Sequence, residues 1–412
     1  MHNLNIGTPS AWNPYIHFVL LLWDKDKMNN EKKLVPKLRF PEFTHAWEQR
    51  KLGEITNSYS GGTPSVSNRN YYGGNIPFIR SGEISLEKTE LCITDDGLNN
   101  SSAKLVSKGD ILYALYGATS GEVSRSLING AINQAILAIQ PHDNFSPEFI
   151  IQWLKGKKLH IVSSYLQGGQ GNLSAEIVKN LVISIPQIQE QQKIGTFFTA
   201  LDRYITIHHR KLDNVKKLKA GLLQKMFPKN DQEFPEIRFP EFTYAWEQRK
   251  LGDLCQITTG KLDANAMVDG GQYDFFTSGI KKYKIDCYAF VGPAITIAGN
   301  GATVGYMHYA DGYFNAYQRT YVLTDFCADR TFLFQIINKN LPKKIQQESR
   351  SGNIPYIVMD MLTDLHITIP DSREQNMIAN LYSKVDRYIT IHQRKLENMQ
   401  KLKKSLLQQM FV

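Results

Sequence analysis

Residues Arg39–Gly53 read RFPEFTHAWEQRKLG, and residues Arg238–Gly252 read RFPEFTYAWEQRKLG. The two stretches agree at fourteen of fifteen positions. A second block, DRYITIHHRKL at Asp202–Leu212, returns as DRYITIHQRKL at Asp386–Leu396 with ten of eleven positions identical. Chance does not produce two such matches, so the chain contains an internal duplication.

The duplication has a constant, variable, constant plan. The first blocks lie 199 residues apart and the second blocks 184 residues apart, so the stretch between the blocks is 15 residues longer in the first copy. The intervening stretches, 54–184 and 253–368, look largely unrelated. We therefore expect two modules that have nearly the same sequence at their ends and differ in the functional surfaces formed by the stretch between. A solenoid has many short equal repeats and is excluded.

Apolar residues recur at spacings of four and three in both copies of the second block and beyond it, which predicts two long helices. The predicted seam comprises Leu201, Ile205, His208, Leu212, Val215, Leu222 and Met226 in the first copy and Val385, Ile389, His392, Leu396, Met399, Leu406 and Met410 in the second. Two near-identical stripes favour mutual pairing over two separate amphipathic helices, each on its own globular core. The pair should be antiparallel, because the second helix must double back to meet the first.

Polar residues of these helices have an ordinary interpretation. His208 and His392 fall on the seam, where a packed polar residue that sets the register is more typical than a metal ligand. The lysines and arginines indicate a solvated face, with a partner protein or DNA phosphates as a second interpretation.

The variable stretches predict a mixed α/β structure with much β. Residues 111–116 and Ala294–Ala298 form short apolar runs typical of buried strands, and each is followed by a glycine-rich turn. The turns correspond, since Gly117 and Gly121 match Gly301 and Gly305. The modules should share a fold under divergent sequence.

The amino-acid composition limits the kinds of partner that the chain is expected to bind. Forty-eight Lys and Arg against 39 Asp and Glu, a formal charge of +9 over 412 residues, favours a polyanionic partner, with nucleic acid first and an acidic membrane second. The four cysteines are widely separated and indicate neither a zinc knuckle nor a disulfide framework, which fits a reducing cytosol. The apolar run at Tyr15–Trp23 is far shorter than the roughly 20 residues that span a bilayer.

No catalytic signature is recognisable in the sequence. It contains no Walker A motif, no G-x-S-x-G and no H-E-x-x-H, and Gly299–Gly305 has the wrong spacing for a dinucleotide loop. The sequence therefore predicts a recognition subunit that is not an enzyme, with no catalytic residue and no metal site.

The motif set resembles the specificity subunit of a bacterial type I restriction-modification system. Each module opens with the Arg-Phe-Pro-Glu-Phe motif at Arg39 or Arg238 and closes with an Ile-Pro, Glu-Gln, Ile motif followed by a long helix. The closing motifs are Ile185-Pro186, Glu190-Gln191 and Ile194 in the first copy and Ile369-Pro370, Glu374-Gln375 and Ile378 in the second. The resemblance covers nearly everything from Leu34 to Val412.

The resemblance implies an α+β fold with two mixed α/β target recognition domains, separated by two long antiparallel coiled-coil helices, and an internal pseudo-twofold repeat. The boundaries expected are an N-terminal extension without ordered structure at 1–35, recognition domain 1 at 36–186, a central spacer helix at 187–231, recognition domain 2 at 232–370 and a C-terminal spacer helix at 371–412. We expect residues 1–27 to carry no function.

For function, the resemblance implies a non-catalytic cytoplasmic subunit that binds double-stranded DNA. Each recognition domain would read one half of a bipartite asymmetric site, and two methyltransferase subunits would dock along the spacer together with restriction subunits. The chain itself would bind no cofactor: S-adenosylmethionine would belong to the methyltransferase subunit, and ATP and Mg to the restriction subunit. Helices of about 30 residues would reach about 45 Å, enough to address major grooves one turn, about 34 Å, apart.

Side chains with the chemistry of base or phosphate contacts mark candidate DNA-binding positions, for which phosphate contact is a more ordinary role than base readout. They are Arg69, Arg80, Lys104, Thr119, Arg125, Gln134, Gln170 and Asn172 in the first module and Lys261, Lys281, Lys282, Asn300, Thr303, Gln318, Arg319, Arg350 and Asn353 in the second. Two alternatives stay open: a tandem β-rich module that binds glycan or protein without DNA recognition, and a methyltransferase or nuclease acting alone.

Overall fold

The computed structural model describes residues 34–166, 172–229, 232–348 and 355–412. The chain divides into two compact units: unit 1 runs up to Ile207 and includes Leu396–Val412, and unit 2 is His208–Lys395. The extension predicted at 1–35 lies outside the described residues except for its last two. Of these, Leu34 already belongs to unit 1, because its carbonyl accepts a hydrogen bond from the Trp47 amide at 2.9 Å.

Unit 1 contains ten strands and several helices among its described residues. The strands are β1 (Glu48–Lys51), β2 (Thr56–Ser60), β3 (Tyr72–Ile79), β4 (Leu91–Ile93), β5 (Lys104–Val106), β6 (Ile111–Ala114), β7 (Val123–Arg125), β8 (Gly130–Ile132), β9 (Ile136–Pro141) and β10 (Val182–Ile185). The helices are α1 (Leu52–Ile55), α2 (Asp95–Asn99), α3 (Pro147–Leu166) and α4 (Ala175–Lys179), followed by α5 (Ile188–Lys225), which continues into unit 2.

Three sheets organise unit 1. An antiparallel sheet has the order β2-β9-β6-β7, a mixed sheet has the order β4-β3-β8-β5 with β3 parallel to β8, and β1 pairs with β10 in an antiparallel ribbon. Strand β6 is buried along its whole length, which explains why its sequence reads as a continuous apolar run. Its odd-numbered residues, such as Ile111 and Tyr113, pack in a cluster with Phe149 and Trp153 of α3. Its even-numbered residues pack in a cluster with β3, β5 and β8.

Unit 2 repeats this plan with another sequence. Its strands are β11 (Glu247–Lys250), β12 (Gln256–Thr259), β13 (Tyr273–Phe276), β14 (Tyr283–Ile285), β15 (Phe290–Val291), β16 (Ala294–Ala298), β17 (Met307–Ala310), β18 (Tyr313–Ala316), β19 (Thr320–Thr324) and β20 (His366–Ile369). Its helices are α6 (Arg330–Glu348) and α7 (Met359–Thr363), followed by α8 (Ser372–Met410), whose last residues belong to unit 1. The sheet orders β12-β19-β16-β17, β14-β13-β18-β15 and β11-β20 match those of unit 1 strand for strand. The predicted α+β class and internal repeat are confirmed.

In unit 2 the two long helices run antiparallel. The rings of His208 and His392 stack with centroids 6.2 Å apart, and Lys219 Nζ lies 2.6 Å from Asp386 Oδ1. As the residue number rises along α5, the number of its partner on α8 falls. Leu212, on the predicted seam, is buried, and Ile389 is half-buried between more exposed neighbours.

The other ends of α5 and α8 lie in unit 1, where the two helices also run antiparallel. Lys403 Nζ lies 2.5 Å from Asp202 Oδ1, and the ring of Phe198 lies 5.9 Å from that of Phe411. The seam residues Leu396, Met399, Leu406 and Met410 are buried, and Leu201 is half-buried.

Helix α5 ends earlier than the spacer boundary predicted at residue 231. Its last helical residue is Lys225, and Pro228 follows three residues later. Proline lacks the amide hydrogen that would continue the helix, and it disfavours a helical conformation in the residue before it. Helix α8 ends at Met410, close to the predicted boundary.

The opening and closing motifs meet through a buried ion pair in each unit. Arg39 donates from Nε and from its guanidinium nitrogen to the two carboxylate oxygens of Glu190, both at 2.7 Å. Arg238 binds Glu374 in the same bidentate way at 2.8 and 2.7 Å. Such pairs fix geometry as well as charge, so the residues repeated in the two motifs hold each unit together.

Candidate nucleic-acid interface

Five loops of unit 2 converge at one end of its two four-stranded sheets. The Gly299 amide donates to the Arg319 carbonyl at 2.8 Å, and the Gln318 amide donates to the Leu262 carbonyl at 2.8 Å. The Ile357 amide donates to the Gly299 carbonyl at 2.7 Å. These bonds, with that from the Tyr317 amide to the Phe276 carbonyl, join residues 260–262, 276–279, 299–303, 317–319 and 356–357, which we call the unit 2 loop cluster.

Unit 1 joins its loops with corresponding bonds. The Leu115 amide donates to the Ala135 carbonyl at 2.8 Å, and the Leu173 amide donates to the Leu115 carbonyl at 3.0 Å. In addition, Thr63 Oγ1 donates to Gln134 Oε1 at 2.6 Å. Residues 61–63, 115–119, 133–135 and 172–173 thus form the unit 1 loop cluster.

A glycine permits the close approach on which each cluster depends. A Cβ atom at Gly61 would lie 1.8 Å from the Ile132 carbonyl oxygen, and one at Gly260 would lie 2.0 Å from the Ala316 carbonyl oxygen. Only a residue without a side chain allows the end of β2 or β12 to cross the end of β8 or β18 so closely. The two units therefore build one framework from different side chains.

In unit 2, three side chains connect the loop after β13 to the turn after β16. Ser278 Oγ donates to Asn300 Oδ1 at 2.6 Å. The Thr303 hydroxyl donates to the Ser278 carbonyl, so its hydrogen is already used in a bond within the protein. Asn300 and Thr303 are both half-buried.

Basic residues lie at the edge of this hydrogen-bond network. Lys281 and Lys282 are exposed on the loop between β13 and β14, and their ammonium groups lie 5.1 Å from the ring centres of Tyr283 and Phe276. His308 on β17 donates from Nε2 to the Gly279 carbonyl at 3.3 Å. Burial lowers the pKa of His308, and the Lys282 charge lowers it further against the opposing effect of the Gly279 hydrogen bond. The loop is therefore held by a neutral imidazole at pH 7.

Most of the other predicted residues also lie in or beside the clusters. Exposed side chains at the surface of the clusters are Gln134, Asn172, Lys261, Gln318 and Arg319. Thr119 lies in the turn after β6 and is half-buried. Lys104 is opposite Ile132 in the pairing of β5 with β8, two residues from Gln134.

Arg80 is engaged by carboxylates. Its Nε and one guanidinium nitrogen donate to Glu83 at 3.0 Å, and it also binds Glu90. These hydrogen bonds, above all those that Arg80 donates to Glu83, raise the pKa of Arg80. Two carboxylates beside one guanidinium leave little positive field for a phosphate.

Arg69 and Arg125 are not among the residues that are joined in the unit 1 loop cluster. Arg69 begins the 3-10 helix Arg69–Tyr71 before β3. The Tyr72 hydroxyl, directly after this helix, donates to the carbonyl of Pro64 at 2.7 Å, next to Thr63 of the cluster. Arg125 pairs with Ile111 at the start of β6, the end opposite the cluster, and binds Glu148 at 2.5 Å. Arg125 is therefore removed from the candidate interface. Gln170, Arg350 and Asn353 lie outside the described residues.

The fold also brings into the clusters three residues that are not among the candidates predicted from the sequence. Thr63 and Ser278 hold the amide oxygens of Gln134 and Asn300, and Tyr356 is exposed where its backbone bridges to Asn300. No periodic pattern marks these positions, because their partners lie 71 and 22 residues away in the sequence.

Unit 2 has a separate basic depression between α6, β11 and β20. It is a cavity of about 260 Å³ whose lining includes Lys339, Lys343, Lys344 and His366. Lys339 Nζ donates to the carbonyls of Phe227 and Pro228 at 2.9 and 2.5 Å. Burial lowers the pKa of Lys339 to about 8, with further contributions from Lys343 and Lys229.

Exposed apolar side chains form a matched pair on the long helices of each unit. In unit 1, Ile207 and Leu402 are 41% and 38% exposed, and in unit 2 the corresponding Ile391 and Leu218 are 52% and 57% exposed. Each pair takes one residue from α5 and one from α8. We call the two pairs the flank patches.

Within the described ranges, no helix combines the length and the apolar character needed to cross a membrane. Nor do histidine, cysteine, aspartate and glutamate side chains gather there in threes in a way that could hold a metal ion.

Comparisons with known proteins agree with the duplicated architecture. The family model described as the type I restriction modification DNA specificity domain matches twice, at residues 45–217 and 244–401. The EcoDI specificity subunit of an Escherichia coli type I restriction enzyme is 41% identical over 134 residues, which cover 32% of this chain and 30% of that protein. The MjaVIII specificity subunit of Methanocaldococcus jannaschii is 22% identical over 413 residues, covering 90% of this chain and 92% of that protein.

Solved structures share the fold. The crystal structure of a type I restriction-modification S subunit from M. genitalium superposes with a TM-score of 0.66 at 15% identity, covering 92% of this chain and 99% of that one. A chain from a structural study of complex assembly and conformational transition in a type I system gives 0.52 at 16% identity, covering 88% and 96%. These matches give no support to a glycan-binding module.

Proposed function

Because the chain belongs to the family of type I restriction modification DNA specificity domains, we propose that it is the DNA-recognition subunit of a type I restriction-modification complex. Unit 1 reads one half of a bipartite, asymmetric site and unit 2 reads the other. The long helices α5 and α8 set the gap between the half-sites. In this role the chain catalyses nothing and works in the cytoplasm.

One observation carries the proposal: the two units hold the same loops with corresponding backbone bonds and present different side chains on them. Gln134 of the unit 1 loop cluster corresponds to Gln318, but Ala135 and Leu115 correspond to Arg319 and Gly299. A shared backbone framework with different polar side chains suits two domains that bind DNA in the same way but recognise different base sequences. It also explains why the half-sites are expected to differ.

The flank patches support two equivalent partner sites. Exposed isoleucine and leucine side chains recur at corresponding positions of α5 and α8 in both units, as expected of two equivalent protein contacts. Since unit 1 and unit 2 each carry such a pair, we assign one methyltransferase subunit to each patch, and restriction subunits join that assembly. S-adenosylmethionine then belongs to the methyltransferase subunits, and ATP and Mg to the restriction subunits.

The test is selection from a library of DNA duplexes with a long randomised region, with the purified full chain alone and in complex with its methyltransferase subunits. Enrichment of two short sequences at a fixed gap supports the proposal, and native mass measurement of the complex gives the number of partner subunits. Enrichment of a single uninterrupted sequence, or salt-independent binding without any preference, contradicts it.

A further inference from the structure

The two loop clusters present the same polar side chain at the same place. Gln134 and Gln318 are exposed, and among the described residues of the clusters no other exposed side chain with hydrogen-bonding atoms is common to both units. We propose that Gln134 and Gln318 are a matched pair of specificity-determining residues that read the same base, adenine, at the corresponding position of each half-site. This inference rests on the proposed DNA-recognition function.

The identity of the two residues is informative because an exposed glutamine is not needed for packing. The positions on either side have diverged, since Asn133 and Ala135 stand in unit 1 where Tyr317 and Arg319 stand in unit 2. An amide that is the same in both units between neighbours that differ indicates a contact that both units make.

The same backbone turn carries both glutamines. In unit 1 the Ile136 amide donates to the Asn133 carbonyl at 3.2 Å, and in unit 2 the Thr320 amide donates to the Tyr317 carbonyl at 2.8 Å. The residue after each glutamine is anchored as well, because its carbonyl accepts at 2.8 Å from the amide that directly follows β6 or β16. The two side chains therefore leave the same turn from the same position.

The loop that follows β2 or β12 contacts both glutamines. Thr63 and Leu262 correspond, because each lies two residues after the glycine that permits the close approach of β2 or β12. Thr63 Oγ1 donates to Gln134 Oε1 at 2.6 Å, and the Leu262 carbonyl accepts from the Gln318 backbone amide at 2.8 Å. The corresponding neighbour thus positions the glutamine through its side chain in unit 1 and through its backbone in unit 2.

The chemistry of the glutamine amide matches adenine. The amide oxygen accepts from adenine N6 while the amide nitrogen donates to N7, so two hydrogen bonds read one base. An amide oxygen has two lone pairs, and the Thr63 hydroxyl occupies one of them on Gln134. The other lone pair and both hydrogens of Gln134 Nε2 are left for the base. Gln318 is exposed and can turn both terminal atoms of its amide toward DNA.

The experiment uses the full chain and the randomised duplex library. Gln134→Ala should lower the preference for adenine by about tenfold at one position of one half-site, because a bidentate contact is lost. Gln318→Ala should do the same at one position of the other half-site, so each variant is the control for the other. Gln393→Ala, on an exposed position of α8, should change neither half-site.

Replacement by glutamate tests which base is read. A carboxylate only accepts hydrogen bonds and suits the N4 donor of cytosine. Gln134→Glu and Gln318→Glu should therefore change the selected base from adenine to cytosine at the same two positions. If the added negative charge abolishes binding by repelling phosphates, the alanine variants still decide between the outcomes. Alanine variants that bind all duplexes more weakly to the same extent would indicate contact with phosphates and overturn the inference.

Thr63 is a positioning residue, since it acts on DNA through Gln134. Thr63→Val removes the hydroxyl at nearly constant shape and should weaken the adenine preference in the unit 1 half-site alone, whereas Thr63→Ser should retain it. Thermal unfolding of Thr63→Val checks that the fold persists. A full adenine preference in a folded Thr63→Val chain would contradict this role.

The outcomes are distinguishable. The inference is overturned, and the proposed function stands, if the alanine variants leave both half-sites unchanged. The same holds if they relax positions at which the wild-type chain does not select adenine. A wild-type chain that enriches no bipartite motif overturns both.

Discussion

The carboxylate of Asp202 lies 2.5 Å from the ammonium of Lys403, and the corresponding Asp386 lies 2.6 Å from Lys219. Asp202 also accepts from Lys155 at 3.2 Å. Burial alone would raise the pKa of Asp202, but Lys155 and Lys403 outweigh it and lower that pKa. The same Asp–Lys ion pair thus joins α5 to α8 in both units. The pair in unit 1 is more buried than the pair in unit 2.

We predict that Asp202→Asn destabilises unit 1 by about 2 kcal/mol, less than a fully buried pair would lose, because the Asp202 side chain is 29% exposed. Since the pKa of Asp202 is lowered in the folded state, its contribution is complete above the unfolded value near 3.9 and disappears as the pH falls through the folded value. Denaturant unfolding at pH 7 and pH 3 measures both effects.

The control for this prediction is Asp213→Asn. Asp213 pairs with His209 on the exposed side of α5, with 46% of its side chain exposed. Its loss should cost less than about 0.5 kcal/mol. Equal losses at Asp202 and Asp213 would contradict the role assigned to the buried pair.

A second prediction concerns the closing motif. Glu374 is 1% exposed, and it binds Arg238 through both oxygens and accepts from Trp246 Nε1 at 3.2 Å. Glu374→Ala leaves a buried guanidinium without its partner and should cost about 3–5 kcal/mol. The free energy of unfolding of unit 2 is the measurement. Glu241→Ala, in the exposed part of the opening motif, is the control and should cost little.

The sequence predicted the duplicated frame well because a duplication is visible without any structure. Arg39, Glu190 and their counterparts recur in aligned motifs, and the heptad spacing marked the helices on which Leu212 is buried. The residues of the loop clusters could not be predicted from repeated motifs or heptad spacing. Ser278 and Asn300 meet only because β13 and β16, which belong to different sheets, end at the same loop cluster. Likewise, the sequence does not show that Arg80 is paired with both Glu83 and Glu90.

A third prediction separates the seam of the long helices from the flank patches. Leu212 is 3% exposed, so Leu212→Asp buries a charge and should unfold the helical part of unit 2. Ile207→Asp changes a residue that is 41% exposed and should leave thermal unfolding unchanged. In a complex, Ile207→Asp or Ile391→Asp alone should remove one methyltransferase subunit, as measured by native mass. Full assembly of the Ile207→Asp, Ile391→Asp double variant would remove the flank patches as docking sites.

A fourth prediction uses Lys339, whose pKa burial lowers to about 8. The unfolded chain keeps this proton up to about pH 10.4, so between pH 8 and pH 10 the unfolded state binds more protons and the stability of unit 2 should rise with pH. One proton contributes at most about 1.4 kcal/mol per pH unit, and solvent screening at a half-buried lysine reduces this value. Lys339→Met should flatten the rise relative to wild type, whereas Lys401→Met, on an exposed position of α8, should not.

The last prediction contrasts two arginines that the sequence alone treats as equals. Arg319 is exposed in the unit 2 loop cluster, where its backbone carbonyl accepts from the Gly299 amide, whereas Arg80 is held by Glu83 and Glu90. A free guanidinium that neutralises one phosphate contributes about 0.9 to the slope of log affinity against log salt concentration. Arg319→Ala should therefore lower that slope by about 0.9, and Arg80→Ala should change it much less, because its charge is already compensated. Titration of one duplex at several salt concentrations measures both slopes, and equal losses in the two variants would show that the carboxylates around Arg80 do not govern its contact with DNA.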